Sequence, residues 1–370
     1  MSPSRACSRI AAAAALALAR LASAAAPTYA AAPTYDNPVL RADVPDPGAV
    51  FDASSRTYFA ATTGGDGSGG LFPIHSSPDL GNSWASASSI FNASTLPKWS
   101  DRRTGWAPEL HFVPSANGGA GGYVAYFVSR LGSTNALCVG AAASLTGSPA
   151  GPYADSGSPL VLSPPGSCFG VIDPTFWFDP ATGTPYVIYK EDGNSCGKPT
   201  NIYAQALMPS GTAIDASRAR TLLIGISQPW ELTLVEAPWM MQKDNALLLF
   251  YSGAYYDKPS YAIGVARSAS GSLDGPWEKY AGNPVLHSAP GAGQPGPGAS
   301  LHYGPGHCSV LVVAEGTPKE EWVFLYAAMA PGGNSGRNLM LDAIAWTADG
   351  WPVGANGGVP SNKTQPLPGS

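Results

Sequence analysis

The sequence predicts an all-β protein folded as a five-bladed β-propeller with four-stranded blades. Three observations carry that reading. Five segments, opening at positions 46, 106, 173, 236 and 307, share one pattern, so successive repeats run 60, 67, 63 and 71 residues in a chain of 370. The chain combines 44 glycines and 36 prolines with 10 Trp, 16 Tyr and 11 Phe. A disordered chain rich in Gly and Pro is poor in aromatics because it has no core to fill, so here Gly and Pro punctuate many short strands. No segment carries a sustained 3.6-residue apolar period, which removes a solenoid of helix pairs.

Each repeat opens on a polar or aromatic residue, often beside Pro, then a β-rich run, a turn and a second aromatic-rich run. The first reads Asp46-Pro47-Gly48-Ala49-Val50-Phe51, turns at Asp52 to Arg56 and returns as Thr57-Tyr58-Phe59-Ala60. The second is Trp106-Ala107-Pro108-Glu109-Leu110-His111-Phe112-Val113, a Gly-rich turn, then Tyr123 to Phe127. The third is Asp173-Pro174-Thr175-Phe176-Trp177-Phe178, a turn at Asp179 to Thr184, then Tyr186 to Tyr189. The fourth opens Glu236-Ala237-Pro238-Trp239 and returns as Leu247 to Tyr251; the fifth opens His307-Cys308-Ser309 and returns as Trp322 to Tyr326. Second halves follow at Ile74 to Trp84, Leu137 to Tyr153, Ala262 to Trp277 and Leu339 to Trp351, with Ile202 to Ile214 less regular. Four strands of about five residues and their connections fit such a period.

In a propeller the first strand of each blade lines the central channel, so the opening residues face one shared pocket. They are Asp46, Trp106 with Glu109, Asp173, Glu236 and His307. One Asp-Pro is explained by turn formation alone. Three acids and a His at matching places in separate repeats are not. Two carboxyl groups across a pocket suit glycosidic cleavage, one protonating the leaving oxygen and the other activating water or attacking, while a third tunes the proton donor. Trp106 and Phe176 are candidates to stack on sugar, although strand packing explains most of the aromatics equally well.

These strings together resemble glycoside hydrolase family 43, over nearly the whole chain from Asn37-Pro38-Val39-Leu40 to Asp349-Gly350-Trp351-Pro352. The resemblance implies an inverting hydrolase with Asp46 as general base, Glu236 in Val235-Glu236-Ala237-Pro238 as general acid, and Asp173 tuning the acid and orienting substrate. It places Trp106, Glu109 and Arg337 near the sugar, beside the stacking candidate Phe176. It also suggests a structural calcium in the channel with His307 contacting it through water; no cofactor is required. Inversion needs the two carboxyl groups about 6.5–9.5 Å apart, whereas about 5 Å means retention. The strings Tyr189-Lys190-Glu191-Asp192-Gly193-Asn194 and Trp230-Glu231 to Pro238 look most like an exo-acting arabinan-trimming branch. The implied activity is release of L-arabinofuranose from α-1,5-arabinan or arabino-oligosaccharides of the plant cell wall. Endo-arabinanase and β-xylosidase are the alternatives within the family, and a non-catalytic carbohydrate-binding propeller is the rival from another class.

The ends and the cysteines complete the reading. Arg5 and Arg9, the apolar run Ile10 to Ala19 and small residues at Ser23 to Ala26 form a secretory signal over 1–26, with cleavage as late as 30. The catalytic propeller is then 36–353 and the Pro/Gly-rich tail 354–370 is expected to be flexible. Cys138, Cys168, Cys196 and Cys308 allow up to two disulfides, with Cys168–Cys196 preferred because they flank one hairpin. No Cys-x-x-Cys pair supports zinc, and no Gly-x-Ser-x-Gly supports a serine hydrolase. A net charge of −5 without a basic block excludes nucleic-acid and anionic-membrane partners. The expected product is a secreted, extracellular monomer.

Overall fold

A computed structural model describes residues 32–370 except 165, 295–298, 300, 334 and 335; the expected signal lies outside the described residues. After a short strand β1 (Thr34–Tyr35), the chain forms five four-stranded antiparallel sheets, each ordered as it occurs in sequence. Blade 1 is β2 (Gly48–Asp52), β3 (Thr57–Ala61), β4 (Leu71–Ser77) and β5 (Ala85–Phe91). Blade 2 is β6 (Trp106–Val113), β7 (Gly122–Arg130), β8 (Leu137–Ser144) and β9 (Tyr153–Asp155). Blade 3 is β10 (Val171–Asp179), β11 (Thr184–Glu191), β12 (Asn201–Ala206) and β13 (Thr221–Gly225). Blade 4 is β14 (Val235–Lys243), β15 (Ala246–Gly253), β16 (Ala262–Ser268) and β17 (Trp277–Lys279). Blade 5 is β18 (Tyr303–Val313), β19 (Glu321–Met329), β20 (Arg337–Trp346) and β21 (Pro352–Gly354), and β22 (Gln365–Pro366) ends the chain. The predicted five-bladed propeller is the fold observed.

Turn chemistry sets the hairpins. Between β10 and β11, Asp179 accepts bonds from the Ala181 N–H and the Thr182 hydroxyl, while Gly183 takes the left-handed conformation that closes the turn. Second strands are buried on both faces, which is why Val187-Ile188-Tyr189 and Leu247 to Tyr251 read as unbroken apolar runs. The irregular second half of blade 3 has a structural cause. A long connection bridged at Leu207 and Ile214 precedes its outer strand at 221–225.

The core is divided among the blade interfaces. Phe59, Phe72, Phe91 and Phe127 pack between blades 1 and 2; Tyr126, Phe176, Val187 and Tyr189 between blades 2 and 3. Ile188, Ile202, Leu249 and Tyr251 fill the next interface, and Phe250, Val265, Phe324 and Tyr326 the one between blades 4 and 5. Tyr58 and Ala60 meet Leu311, Leu325 and Leu341 where blade 5 returns to blade 1, with Tyr35 and Val39 added from the N-terminal segment. Truncating one such aromatic to Ala costs about 3–5 kcal/mol.

Ring closure is by hydrogen bonds as well as packing. Ser309 on β18 donates to the Pro47 carbonyl at 2.7 Å and accepts from the Ala49 N–H at 2.9 Å. Asn37 bridges to the Leu341 backbone through both ends of its amide. The tail differs from the flexible segment expected. β22 pairs with β1, Leu367 packs on the closing interface, and the Ser361 N–H bonds the buried Asp342 carboxylate. A buried carboxylate needs such donors, and the tail supplies them. Of the two disulfides the cysteine count allowed, Cys168–Cys196 forms, whereas Cys138 and Cys308 are separate buried thiols.

Candidate active site

Each first strand carries, or in blade 1 is preceded two residues earlier by, one non-glycine residue in the left-handed backbone region at its opening. These residues are Asp46, Ala107, Asp173, Ala237 and His307, with φ between 43° and 55°. In blades 2 to 5 the strand pairing skips a step there, as a bulge. Left-handed non-glycine residues cost on the order of 1 kcal/mol and persist where surroundings hold them, often at functional sites. Neighbouring blades do the holding: Ala107 N–H donates to the Thr63 hydroxyl, Ala237 N–H to Asp173 Oδ2, and His307 N–H to the Ser252 hydroxyl. The geometry sharpens the sequence reading by one residue. Asp46, Asp173 and His307 occupy the kinked position itself, whereas Glu236 and Trp106 precede it.

Asp46 is buried and saturated with donors. Arg337 from β20 grips both oxygens (Nη1–Oδ1 2.6 Å, Nη2–Oδ2 3.1 Å), His307 Nδ1 lies 3.1 Å from Oδ1, and Thr63 donates to Oδ2 at 2.7 Å. Burial opposes its charge, but the Arg337 guanidinium and the His307 ring outweigh it and hold the carboxyl well below the usual carboxylate range. Conversely, burial works against the His307 cation, and Asp46 outweighs that and lifts the ring to about 9. Arg337 also lies over the exposed ring of Tyr256, 4.9 Å from its centroid.

The other two acids meet on the blade 3–4 side. Asp173 Oδ2 is bound to the N–H of Ala237, next to Glu236. Burial pushes the Asp173 carboxyl up to about 7, and the charge of Glu236 adds to that against the pull of His307 and Lys190. Asp173 is the more deeply enclosed of the two acids. Glu236 Oε1 accepts from the Tyr261 hydroxyl at 2.9 Å, and Oε2 contacts Lys190 Nζ at 2.8 Å. The pocket therefore holds one carboxylate kept ionised and a second acid pair that retains a proton near neutrality, the separation of roles that acid–base chemistry requires.

The remaining candidates divide. Trp106 is exposed at the rim with the Arg130 guanidinium 5.4 Å from its ring. Glu109 is buried, bonded to His111 Nε2 at 2.7 Å, and raised by that burial; it supports the pocket from below the surface. Phe176 is a correction. Its ring is buried and stacks on Tyr126 at 5.9 Å in the core between blades 2 and 3, where it serves packing. Thr63 also lines a groove of about 620 Å³ over blade 1, whose walls include Asp43, Asp66, His75, Ser88 and Asn92. Its hydroxyl, amide and carboxylate lining suits a polyhydroxylated ligand.

The resemblance implied a structural calcium reached by His307 through water; the Nδ1 of that ring is committed to Asp46. Among the described residues no group of three His, Cys, Asp or Glu side chains is placed to hold a metal ion, so no step is routed through one.

Sequence reasoning did not assign Lys190, Tyr261 or Thr63. Lys190 left a trace, a lysine closing an otherwise apolar strand just before two acids. Tyr261 and Thr63 left none, since their roles depend on contacts between elements distant in sequence.

The model of Glycosyl hydrolases family 43 matches residues 35–352. The probable arabinan endo-1,5-alpha-L-arabinosidase D of Emericella nidulans is 25% identical over 327 residues, covering 80% of this chain and 78% of its own. A thermostable family-43 glycoside hydrolase superposes with a TM-score of 0.72 at 26% identity, over 90% of this chain and 99% of its own. The alpha-L-arabinofuranosidase from Lactobacillus brevis shares the fold, with a TM-score of 0.68 at 19% identity over 88% and 97% of the two chains.

Proposed function

The chain belongs to glycosyl hydrolase family 43, and from that premise we propose that it cleaves α-1,5-linked arabinan or arabino-oligosaccharides with inversion, releasing L-arabinofuranose. Glu236 donates its proton to the departing glycosidic oxygen as the bond to the anomeric carbon breaks. Asp46 takes a proton from the water that attacks that carbon from the opposite face, and solvent exchange then returns both groups to their starting states. Asp173 bonds the backbone beside Glu236 and keeps a proton within the acid pair. Trp106 and Tyr256 offer exposed rings at the rim, and Arg337 orients the base. A secretory leader and a plant cell-wall substrate complete the reading.

The observation that carries it is the arrangement of the three acids: Asp46 gripped by Arg337 and His307, and Asp173 bonded to the Ala237 N–H beside Glu236, whose own oxygens meet Tyr261 and Lys190. Aryl arabinofuranosides, aryl xylosides and debranched arabinan, tried on wild type, Asp46→Ala and Glu236→Ala, test it. Both variants should lose about 10²–10⁴ in kcat on arabino-oligosaccharides, with Glu236→Ala partly spared on activated aryl leaving groups. Wild-type activity in either variant would overturn the assignment, and no turnover by wild type would favour a binding propeller. The second reading, internal cleavage of arabinan, is favoured by the likeness to the Emericella nidulans protein. Product lengths early in digestion separate the two, monosaccharide for the first and mixed oligomers for the second.

A further inference from the structure

Among the described residues, Lys190 is the one buried cation in contact with the proton donor. It lies at the end of β11, deeply buried, with Nζ 2.8 Å from Glu236 Oε2 and 2.9 Å from Asp192 Oδ1. Buried lysines are rare and costly, and this one is retained between two acids. Asp192 is itself buried just past the strand end, so it answers the lysine's charge and fixes the direction of its side chain.

We propose that Lys190 is a positioning residue for the hydrolytic reaction, holding the Glu236 carboxyl against Tyr261 and setting the upper pH limit of activity. The inference deepens the hydrolase reading and rests on it. Tyr261 donates to Oε1 and Lys190 to Oε2, so the two fix the plane of the carboxyl group from opposite sides. Gly306 leaves room for this: a Cβ there would run into the Tyr261 ring. The charged and titratable groups around Glu236 are Lys190 from β11, Asp192 beyond it, Asp173 from β10, Tyr261 ahead of β16, Arg337 on β20, and Asp46 and His307 across the pocket. Three carboxylates push the proton onto Glu236. Lys190 is the contacting cation that pulls it off, and so opposes them. It thereby steadies the Glu236 carboxylate once the proton has left. Removing the cation should raise the pH at which Glu236 ionises and carry the descending limb of the kcat/KM profile with it.

The test compares kcat/KM against pH for wild type, Lys190→Met, Lys190→Arg and Lys190→Met/Asp192→Asn on an aryl arabinofuranoside with a poor leaving group. A second readout is the titration of a ¹³C-labelled Glu236 carboxyl. Lys190→Met should move the descending limb and the carboxyl titration upward by about one pH unit or more, and Lys190→Arg should keep both near wild type. The double variant removes Lys190 together with the Asp192 that answers its charge, so it stays folded if the single variant does not, and should show a smaller shift in the same upward direction, because Glu236 loses the contacting cation and the more distant carboxylate together. Limbs and titrations that superimpose in wild type and a folded charge-removed variant would overturn the proposal. An inactive wild type whose Glu236 titration still moves in the Lys190 variants would uphold the electrostatic role and overturn the hydrolase reading instead.

Discussion

Replacing Arg337 by Met tests the electrostatic design of the pocket at its strongest contact. Met keeps the length of the apolar stem and removes the fork that grips both Asp46 oxygens at 2.6 and 3.1 Å. An opposite charge at contact lowers a carboxyl by about 1–3 pH units, and each unit corresponds to about 1.4 kcal/mol. Asp46 would keep His307 and Thr63 but remain buried, so it should return to the ordinary carboxylate range near pH 4 or slightly above. The base acts only when ionised. Wild type should therefore show no acid limb from Asp46 above about pH 3, and Arg337→Met should lose kcat/KM as pH falls below about 5. Stability has the matching sign. A carboxyl depressed in the folded state stabilises above its unfolded value near 3.9, and that contribution fades as pH falls through the folded value. The variant should accordingly be about 1.5–4 kcal/mol less stable at pH 7, with the gap closing below pH 4. The assays are a pH profile on an aryl arabinofuranoside and urea unfolding at pH 3, 5 and 7. An acid limb that coincides with wild type, together with a stability gap that does not depend on pH, would refute the reasoning.

Three further outcomes are expected. The wild-type kcat/KM should fall above about pH 7 as the Asp173–Glu236 pair loses its last proton, and Asp173→Asn should move that limb to lower pH by removing the negative neighbour; a pH-rate profile reads both. Gly306→Ala should displace the Tyr261 ring from Glu236 and lower kcat at least tenfold, with circular dichroism confirming that the blades persist. Reducing Cys168–Cys196, which closes a loop of 28 residues, should cost about 3.5 kcal/mol and lower the thermal midpoint, as calorimetry with and without reductant would show.

The propeller was legible because every first hairpin repeats an aromatic-rich return strand, four of the five after a Pro-containing opening, and because the acids open three of the five. The one-residue offset between Asp46 or Asp173 and Glu236 was not legible. It depends on a left-handed kink that Asp, Ala and His all occupy here, so no glycine marks it. Phe176 was misread because an aromatic on a first strand serves blade packing as readily as sugar stacking, and its ring lies buried against Tyr126. The anchored tail was hidden because β22 is only two residues long and pairs with β1 at the far end of the chain, and because Asp342, the partner of Ser361, lies within β20. Lys190 and Glu236 are 46 residues apart, and only the packing of blade 4 on blade 3 brings them together. Arg337, 291 residues from Asp46, was placed near the sugar by resemblance; the structure shows the contact it makes, which is the base itself.

The central claim is that Asp46 and Glu236 act on opposite faces of the sugar, and the stereochemistry of the first-formed product tests it most directly. Proton NMR during hydrolysis of an α-L-arabinofuranosyl substrate should show β-L-arabinofuranose appearing first, before mutarotation. First appearance of the α-anomer would mean retention through a covalent intermediate and would contradict it.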